Sequence, residues 1–490
     1  MEPMNLLVLM DDEHNKKMLG CYGHPTVQTP NLDRLAARGT RFINAYTNSP
    51  ICVPARAAFA TGRQVHQTGY WDNAIAYDGQ VPSWGHVLQA HGHPVVSIGK
   101  LHYTDETADT GFDRQVLPMH IEAGVGDLHG LLRDPLPVRY QSRDMATRIG
   151  PGDTSYTDYD RKIADEACHW LQTQAQVQRP HGKPWVLFTS FISPHSPLVA
   201  PQAYYDLYPP ESITLPKKRP AGFQHPWWDA LNGCYIFDAS FADDHQRRIA
   251  IASYYALCTY IDHQIGRVLD TLEATGLARN TRVVFLSDHG DNMGARGLWG
   301  KSNMYEESAG IPMIAAGPGI AAGARCDTAV SHIDFRPTIL QAVGVPAQAQ
   351  ASQAYPGRSL FESMQMPEAE ARQRVVLSEY HAAGSISACY MVRQGDWKYI
   401  HYTGFRPELF NLREDPEELA DRAGDPACAG VLRALEGELR QHLDPEATDR
   451  QAKAAQAALI AKHGGYDAIN RRGGSSYTPA PGEDVQLIPS

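Results

Sequence analysis

Four apolar runs of strand length, 5–10, 95–98, 185–192 and 283–286, constrain this chain more than any other feature. They do not alternate cleanly between apolar and polar residues, so each reads as a strand buried on both faces. A parallel sheet with helices on either side provides that environment. Each run ends in polar residues: Asp11-Asp12-Glu13, Gly99-Lys100-Leu101-His102, Pro194-His195-Ser196-Pro197 and Ser287-Asp288-His289-Gly290. A doubly wound sheet brings the carboxyl ends of its strands to one edge, where the ligand crevice of such folds lies. Between the runs, Thr29 to Gly39 carries a helix cap, a Pro at the first helical position and a closing Gly. Asp160 to Gln174 and Tyr254 to Leu272 show the helical apolar stripe.

Cys52-Val53-Pro54-Ala55-Arg56 is the second constraint. Pro54 suits a first helical turn and the Ala-rich run after it propagates a helix, so Cys52 falls at a helix N-terminus. Free backbone N–H groups and the positive end of the helix dipole gather there, with Arg56 one turn on. A thiolate or a bound oxyanion would both be favoured. A buried structural cysteine fits the same residues.

Cys52, Pro54 and Arg56 form a C-x-P-x-R core that resembles the type I sulfatase signature, whose cysteine is oxidised to formylglycine by a dedicated enzyme. Gly99-Lys100-Leu101-His102 is similar to the G-K-x-H motif of that family, Pro194-His195-Ser196-Pro197 to its P-H-x-P turn, and Asp72-Asn73-Ala74 to the D-N-A turn of its choline sulfatase and phosphonate monoester hydrolase branches. The resemblance covers nearly the whole chain in order. It implies an alkaline-phosphatase-like α/β/α sandwich with a smaller C-terminal antiparallel sheet. Implied catalytic residues are Cys52, Arg56, Lys100, His102, His195 and Lys301, with Asn73 contacting the substrate. One divalent cation, Ca²⁺ or Mn²⁺, would be held by Asp12, Asp288, His289 and an oxygen of modified Cys52, while Asp11 and Glu13 compete for a further contact. The implied reaction is hydrolysis of sulfate monoesters through a formylglycine hydrate and a sulfo-enzyme intermediate, with His195 as acid and His102 as base. Phosphonate monoester or phosphodiester hydrolysis is the nearest rival, and a non-catalytic sulfate-binding or assembly protein the more distant one. Gly310 departs from many relatives, which carry Arg there, so a local packing change is expected.

The remaining features set bounds. At 490 residues and 43% hydrophobic content the chain can bury a large core. Its net charge of −11 and lack of a dense Lys/Arg cluster speak against nucleic-acid binding. Eight scattered cysteines form no C-x-x-C pair, and the N-terminus shows neither a basic leader nor a membrane-length apolar run, so a cytoplasmic location away from membranes is expected. The expected division is a catalytic domain over 1–372, a C-terminal α+β subdomain over 373–463 and a Gly/Ser/Pro-rich tail over 464–490. The tail is read as an arm that packs on a neighbouring subunit of a homo-oligomer, or as disordered. Residues 111–158 read as a long insertion that shapes a pocket. Trp71, Tyr103, Trp227 and Trp228 fit either an aromatic leaving-group pocket or the core.

Overall fold

The computed structural model describes residues 2–177, 182–346 and 355–488. Its centre is an eight-stranded sheet built from β1 (Asn5–Asp12), β2 (Gly39–Phe42), β3 (Val95–Lys100), β4 (Arg114–Met119), β5 (Val186–Pro194), β6 (Thr281–Ser287), β7 (Met313–Ala316) and β8 (Ala324–Cys326), in the spatial order β8-β2-β7-β6-β1-β5-β3-β4. β1 lies between β5 and β6, parallel to both, and β7 runs antiparallel to both its neighbours. The four apolar runs are the four central parallel strands, as their two-sided burial requires.

Alternation along β1 builds two cores. Leu6, Val8 and Met10 face α2 (Cys52–Thr61) and α5 (Phe335–Val343), while Leu7 and Leu9 face α1 (Pro30–Ala37), α3 (Ser155–Gln176) and α4 (Asp244–Ala274). Each fully buried aliphatic side chain contributes roughly 1.5–3 kcal/mol, so a polar substitution at any of the five would be severe. A four-stranded antiparallel sheet, β9 (Val375–Tyr380), β10 (Cys389–Gln394), β11 (Trp397–Tyr402) and β12 (Glu408–Asn411), follows and carries α6 (Ala429–His442) on one face. α7 (Pro445–Lys462) and α8 (Tyr466–Arg472) come next. No helix among the described residues is long and apolar enough to cross a membrane.

Several expectations change. The 111–158 segment opens with β4, an edge strand whose half-exposed side chains gave no buried run to detect. Trp227 and Trp228 are corner residues of the core: their indole N–H groups donate to the Ser387 carbonyl at 2.9 Å and the Tyr402 hydroxyl at 3.1 Å. Trp71 and Tyr103 are likewise buried. The tail packs on its own chain. Ala480 joins the sheet core, and the Tyr156 hydroxyl donates to the Thr478 carbonyl at 2.6 Å. At Gly310 a β-carbon would lie 2.7 Å from the Glu306 carbonyl oxygen and 3.0 Å from the Lys16 ammonium. Lys16 therefore fills that space and pairs with Glu306, so the cation comes from another part of the chain.

Gly99 allows the close approach of β3 to β5. Its φ is +97°, and a β-carbon would stand 2.1 Å from the Ser190 carbonyl oxygen. Gly99→Ala is expected to lower unfolding free energy by about 3 kcal/mol or more, measured by urea denaturation. A loss below about 1 kcal/mol would contradict this packing.

Candidate active site

The ends of the four central strands meet over the N-terminus of α2. Asp12 ends β1, Lys100 ends β3, His195 follows β5, and Asp288 and His289 follow β6. Cys52 is the first residue of α2 and Ile51 precedes it in extended conformation, so the thiol projects from the helix end into this convergence. Ligand atoms of Asp12, Cys52, Asp288 and His289 all lie within 4.8 Å of one another, and all four residues are buried. The backbone N–H of Val53, free at the helix start, donates to Asn73 Oδ1 at 3.1 Å. Asn73 thus fastens the turn that holds Cys52 and also lines the cavity above it.

Arg56 binds this group from below. Nε donates to Asp288 Oδ2 at 2.8 Å, Nη2 to Asp12 Oδ2 at 3.1 Å, and Nη1 to the Lys100 carbonyl and Ser190 Oγ at 2.9 and 2.8 Å. Its guanidinium faces the carboxylates and strand ends, and Arg56 is not among the residues found lining the cavity. Lys100 pairs with the same Asp12 oxygen. Burial alone would raise the Asp12 carboxyl, but Lys100, His195, Arg56 and Lys301 outweigh it and hold the group well below the usual carboxylate range.

The donor set fits a divalent cation. His289 Nδ1 lies 3.1 Å from the Gly290 carbonyl, which fixes the proton on Nδ1 and leaves the Nε2 lone pair facing Cys52 Sγ at 3.1 Å, Asp288 Oδ1 at 3.6 Å and Asp12 Oδ1 at 3.9 Å. A lone pair and two carboxylate oxygens converging beside Cys52 are donors of the kind a divalent cation takes. Asp11 is not part of the cluster: its Oδ2 pairs with His14 Nδ1 at 2.6 Å. Glu13 belongs to a second group beside it, with Asp12 and His195.

Above Cys52 the wall is basic and polar. Lys301 Nζ donates to Cys52 Sγ at 3.3 Å, Glu13 Oε2 at 2.9 Å and His195 Nε2 at 2.8 Å. Since His195 Nδ1 donates to the Ser196 carbonyl at 2.6 Å, Nε2 is the acceptor and the ring is neutral. Burial, then Lys301, holds His195 well below the ordinary imidazole range. His102 is held low by burial, then by Lys100 and Arg56. It sits at φ +59°, a strained conformation for a non-glycine residue, with Nε2 2.9 Å from Thr478 Oγ1 and Nδ1 buried without a partner. The thiol of Cys52 is pushed up to about 12 by burial and by Asp12, against Lys301 and Lys100. It is therefore protonated at neutral pH and a poor nucleophile as it stands.

All the site residues read from sequence converge here. Sequence reasoning missed Glu13 as the partner of Lys301 and His195, Ser190 as a support of Arg56, and the wall contributed by Tyr156, Tyr235, Phe237 and the tail residues Ser475 to Thr478. Ser190 sat in a recognised strand, where alternation could have flagged its face. The tail contacts link residues more than 300 positions apart and leave no local signal.

A buried cluster of carboxylates, imidazole and cysteine at the strand ends of an α/β sandwich, ringed by Lys and Arg, is the site of a hydrolase of anionic esters. The sulfatase family model matches residues 3–345, and a model described as N-sulphoglucosamine sulphohydrolase, C-terminal, matches 294–444. The chain belongs to the sulfatase family and is a sulfuric ester hydrolase. It is similar to choline-sulfatase of Rhizobium meliloti, with 32% identity over 92% of this chain and 89% of that one, and to arylsulfatase K of Bos taurus, with 29% identity over 86% and 78%. In fold it resembles the phosphonate monoester hydrolase of Agrobacterium radiobacter, at a TM-score of 0.71 and 21% identity over 92% of this chain and 96% of that one.

Burial, opposed by Lys301, raises the Glu13 carboxyl to about 7. A carboxyl raised by folding contributes stability below its unfolded value and loses it as pH rises through the folded one, here between about 4.5 and 7. In EDTA, Glu13→Gln is therefore expected to remove a stability loss of about 3 kcal/mol between pH 5 and pH 8, measured by urea unfolding at both. An unchanged pH dependence would contradict the assignment.

Proposed function

We propose that this protein hydrolyses sulfate monoesters of small aryl or alkyl alcohols to alcohol and inorganic sulfate, using a nucleophile made by converting Cys52 to formylglycine with a maturation enzyme. The observation that carries this is the placement of a C-x-P-x-R cysteine, with its thiol held protonated, within a buried set of metal-type donors. Hydrated formylglycine supplies one hydroxyl as nucleophile and a second whose deprotonation releases sulfate. A divalent cation held by Asp12, Asp288 and His289 would supply Lewis acidity at that hydroxyl, and the imidazole nitrogen among the oxygen donors favours Mn²⁺ over Ca²⁺.

The other roles follow from the chain's own groups. Lys100 and Lys301 flank Cys52 and present ammonium groups to the sulfate oxygens, where charge builds in the transition state. Asn73 keeps Cys52 at the helix end and borders the same oxygens. Arg56 acts from behind, holding Asp12 and Asp288 in place. His195 accepts a hydrogen bond from Lys301, so the pair carries a proton beside the leaving oxygen and can deliver it as the alcohol departs. His102, neutral and with a free Nδ1, receives the proton in the second step. Tyr156, Tyr235, Phe237 and Tyr477 give the leaving-group wall an aromatic character, while Asp127 on the same wall is neutralised by Arg139 at 2.7 Å. That suits an aryl or a cationic alkyl alcohol, choline among them.

Phosphonate monoester hydrolysis is the second reading, since the same cations serve any tetrahedral anion. His102 favours sulfate, because a base for the second step suits release of sulfate. The matured enzyme is expected to show higher kcat/KM on 4-nitrophenyl sulfate than on 4-nitrophenyl phenylphosphonate. His102→Asn and Lys100→Met should each lower kcat on the sulfate by about 10²-fold or more. A phosphonate preference, or full activity in both variants, would overturn the reading.

A further inference from the structure

A cavity larger than the catalytic one lies elsewhere on the molecule. A cleft of about 680 Å³ opens between the β2–β8 edge of the main sheet and the β10–β11 turn of the C-terminal sheet, against about 130 Å³ for the catalytic pocket, and no residue found lining one lines the other. Seven lysine and arginine side chains line the cleft against four carboxylates, in a chain whose net charge is −11. Five of the seven are ion-paired, Lys16 with Glu306, Lys17 with Glu307 and Glu417, Arg325 with Asp327, and Arg372 and Arg413 with Asp396, which leaves Arg41 and Arg393 without an ion pair among the described residues. Arg41 and Arg325 lie side by side as partners on β2 and β8. Across the cleft Asp396 is shared by Arg372 at 2.7 Å and Arg413 at 3.6 Å.

Arg393 on β10 is the most informative residue. It is 96% buried, with 4% of its surface exposed, yet its partners are all neutral. Nε donates to the Tyr46 hydroxyl at 3.0 Å, and Nη1 donates to the carbonyls of Gly395 and Trp397. Nη2 has no protein partner among the described residues. Arg41 rests on the Tyr22 ring at 5.7 Å. Among the described residues no carboxylate lies within 4.0 Å of either guanidinium. Asp396, the carboxylate that Arg393 does act on beyond that distance, is already shared by Arg372 and Arg413. A buried cation whose counter-charge is distant and shared is costly, and an anion from solution relieves that cost.

We propose that this cleft binds a multivalent oxyanion, a molecule carrying two or more sulfate or phosphate groups, anchored by Arg393 and Arg41. Guanidinium groups match such oxygens in pairs, which an ammonium does not. The volume exceeds what a single sulfate ion fills, and the rim arginines are spread widely enough to meet further charges. The site is separate from catalysis.

The test is isothermal titration calorimetry of the full-length protein with tripolyphosphate and, separately, with sucrose octasulfate, both in about 150 mM NaCl to screen loose surface binding. Binding of either supports the proposal, and the tighter one identifies a condensed phosphate or a sulfated carbohydrate as the source. Arg41→Gln should weaken binding about tenfold, and Arg41→Gln with Arg393→Gln further. Turnover of 4-nitrophenyl sulfate should stay within about twofold in either variant, because neither residue touches the catalytic pocket. Arg41 is half-exposed, so its variant keeps the test decisive if the Arg393 change prevents folding. No binding by the wild type, unchanged affinity in Arg41→Gln, or binding lost only in Lys100→Met would overturn the proposal.

Discussion

Everything at the catalytic centre depends on neutralising the buried carboxylates of Asp12 and Asp288. Both are fully buried, and an unpaired carboxylate in that environment would cost several kcal/mol. Arg56 reaches both from below and Lys100 reaches Asp12 from the side. The cations that hold the sheet edge together thus also make it attractive to an anion. The oxygens not taken by Arg56 face His289 Nε2, leaving a place suited to one divalent cation.

The same economy runs through the residues around Cys52. Opening a helix at Cys52 gives the residue a field of backbone N–H groups, and Asn73 takes one of them to lock the turn. Burial then suppresses the acidity of the thiol and the basicity of His195 and His102. The unmodified site is therefore rich in cations and hydrogen-bond donors but poor in nucleophiles. The proposed formylglycine would supply a nucleophile there only together with the divalent cation, whose Lewis acidity would make its hydroxyl reactive.

Much of this was legible in sequence because the chemistry sits at the ends of uninterrupted apolar runs. Leu6 to Met10 and Val283 to Leu286 could only be central strands, so Asp12, Asp288 and His289 had to share an edge. Outer strands were less legible. β4 is half-exposed and β7 and β8 are three or four residues long, too short for periodicity to register. The Glu13 contact with Lys301 and the Thr478 contact with His102 depend on loop paths that no local pattern specifies. The basic cleft escaped notice for a related reason: Arg41, Arg325 and Arg393 are isolated in sequence and meet only through sheet pairing and the packing of the two sheets.

The central claim is that Cys52 is the precursor of the nucleophile. The most direct measurement is the mass of the tryptic peptide Phe42 to Arg56, from protein made in a host that has the formylglycine-generating enzyme. The account predicts the mass of an aldehyde, or its hydrate, in place of the thiol. A peptide carrying only unmodified cysteine, isolated from protein that hydrolyses sulfate esters, would contradict it.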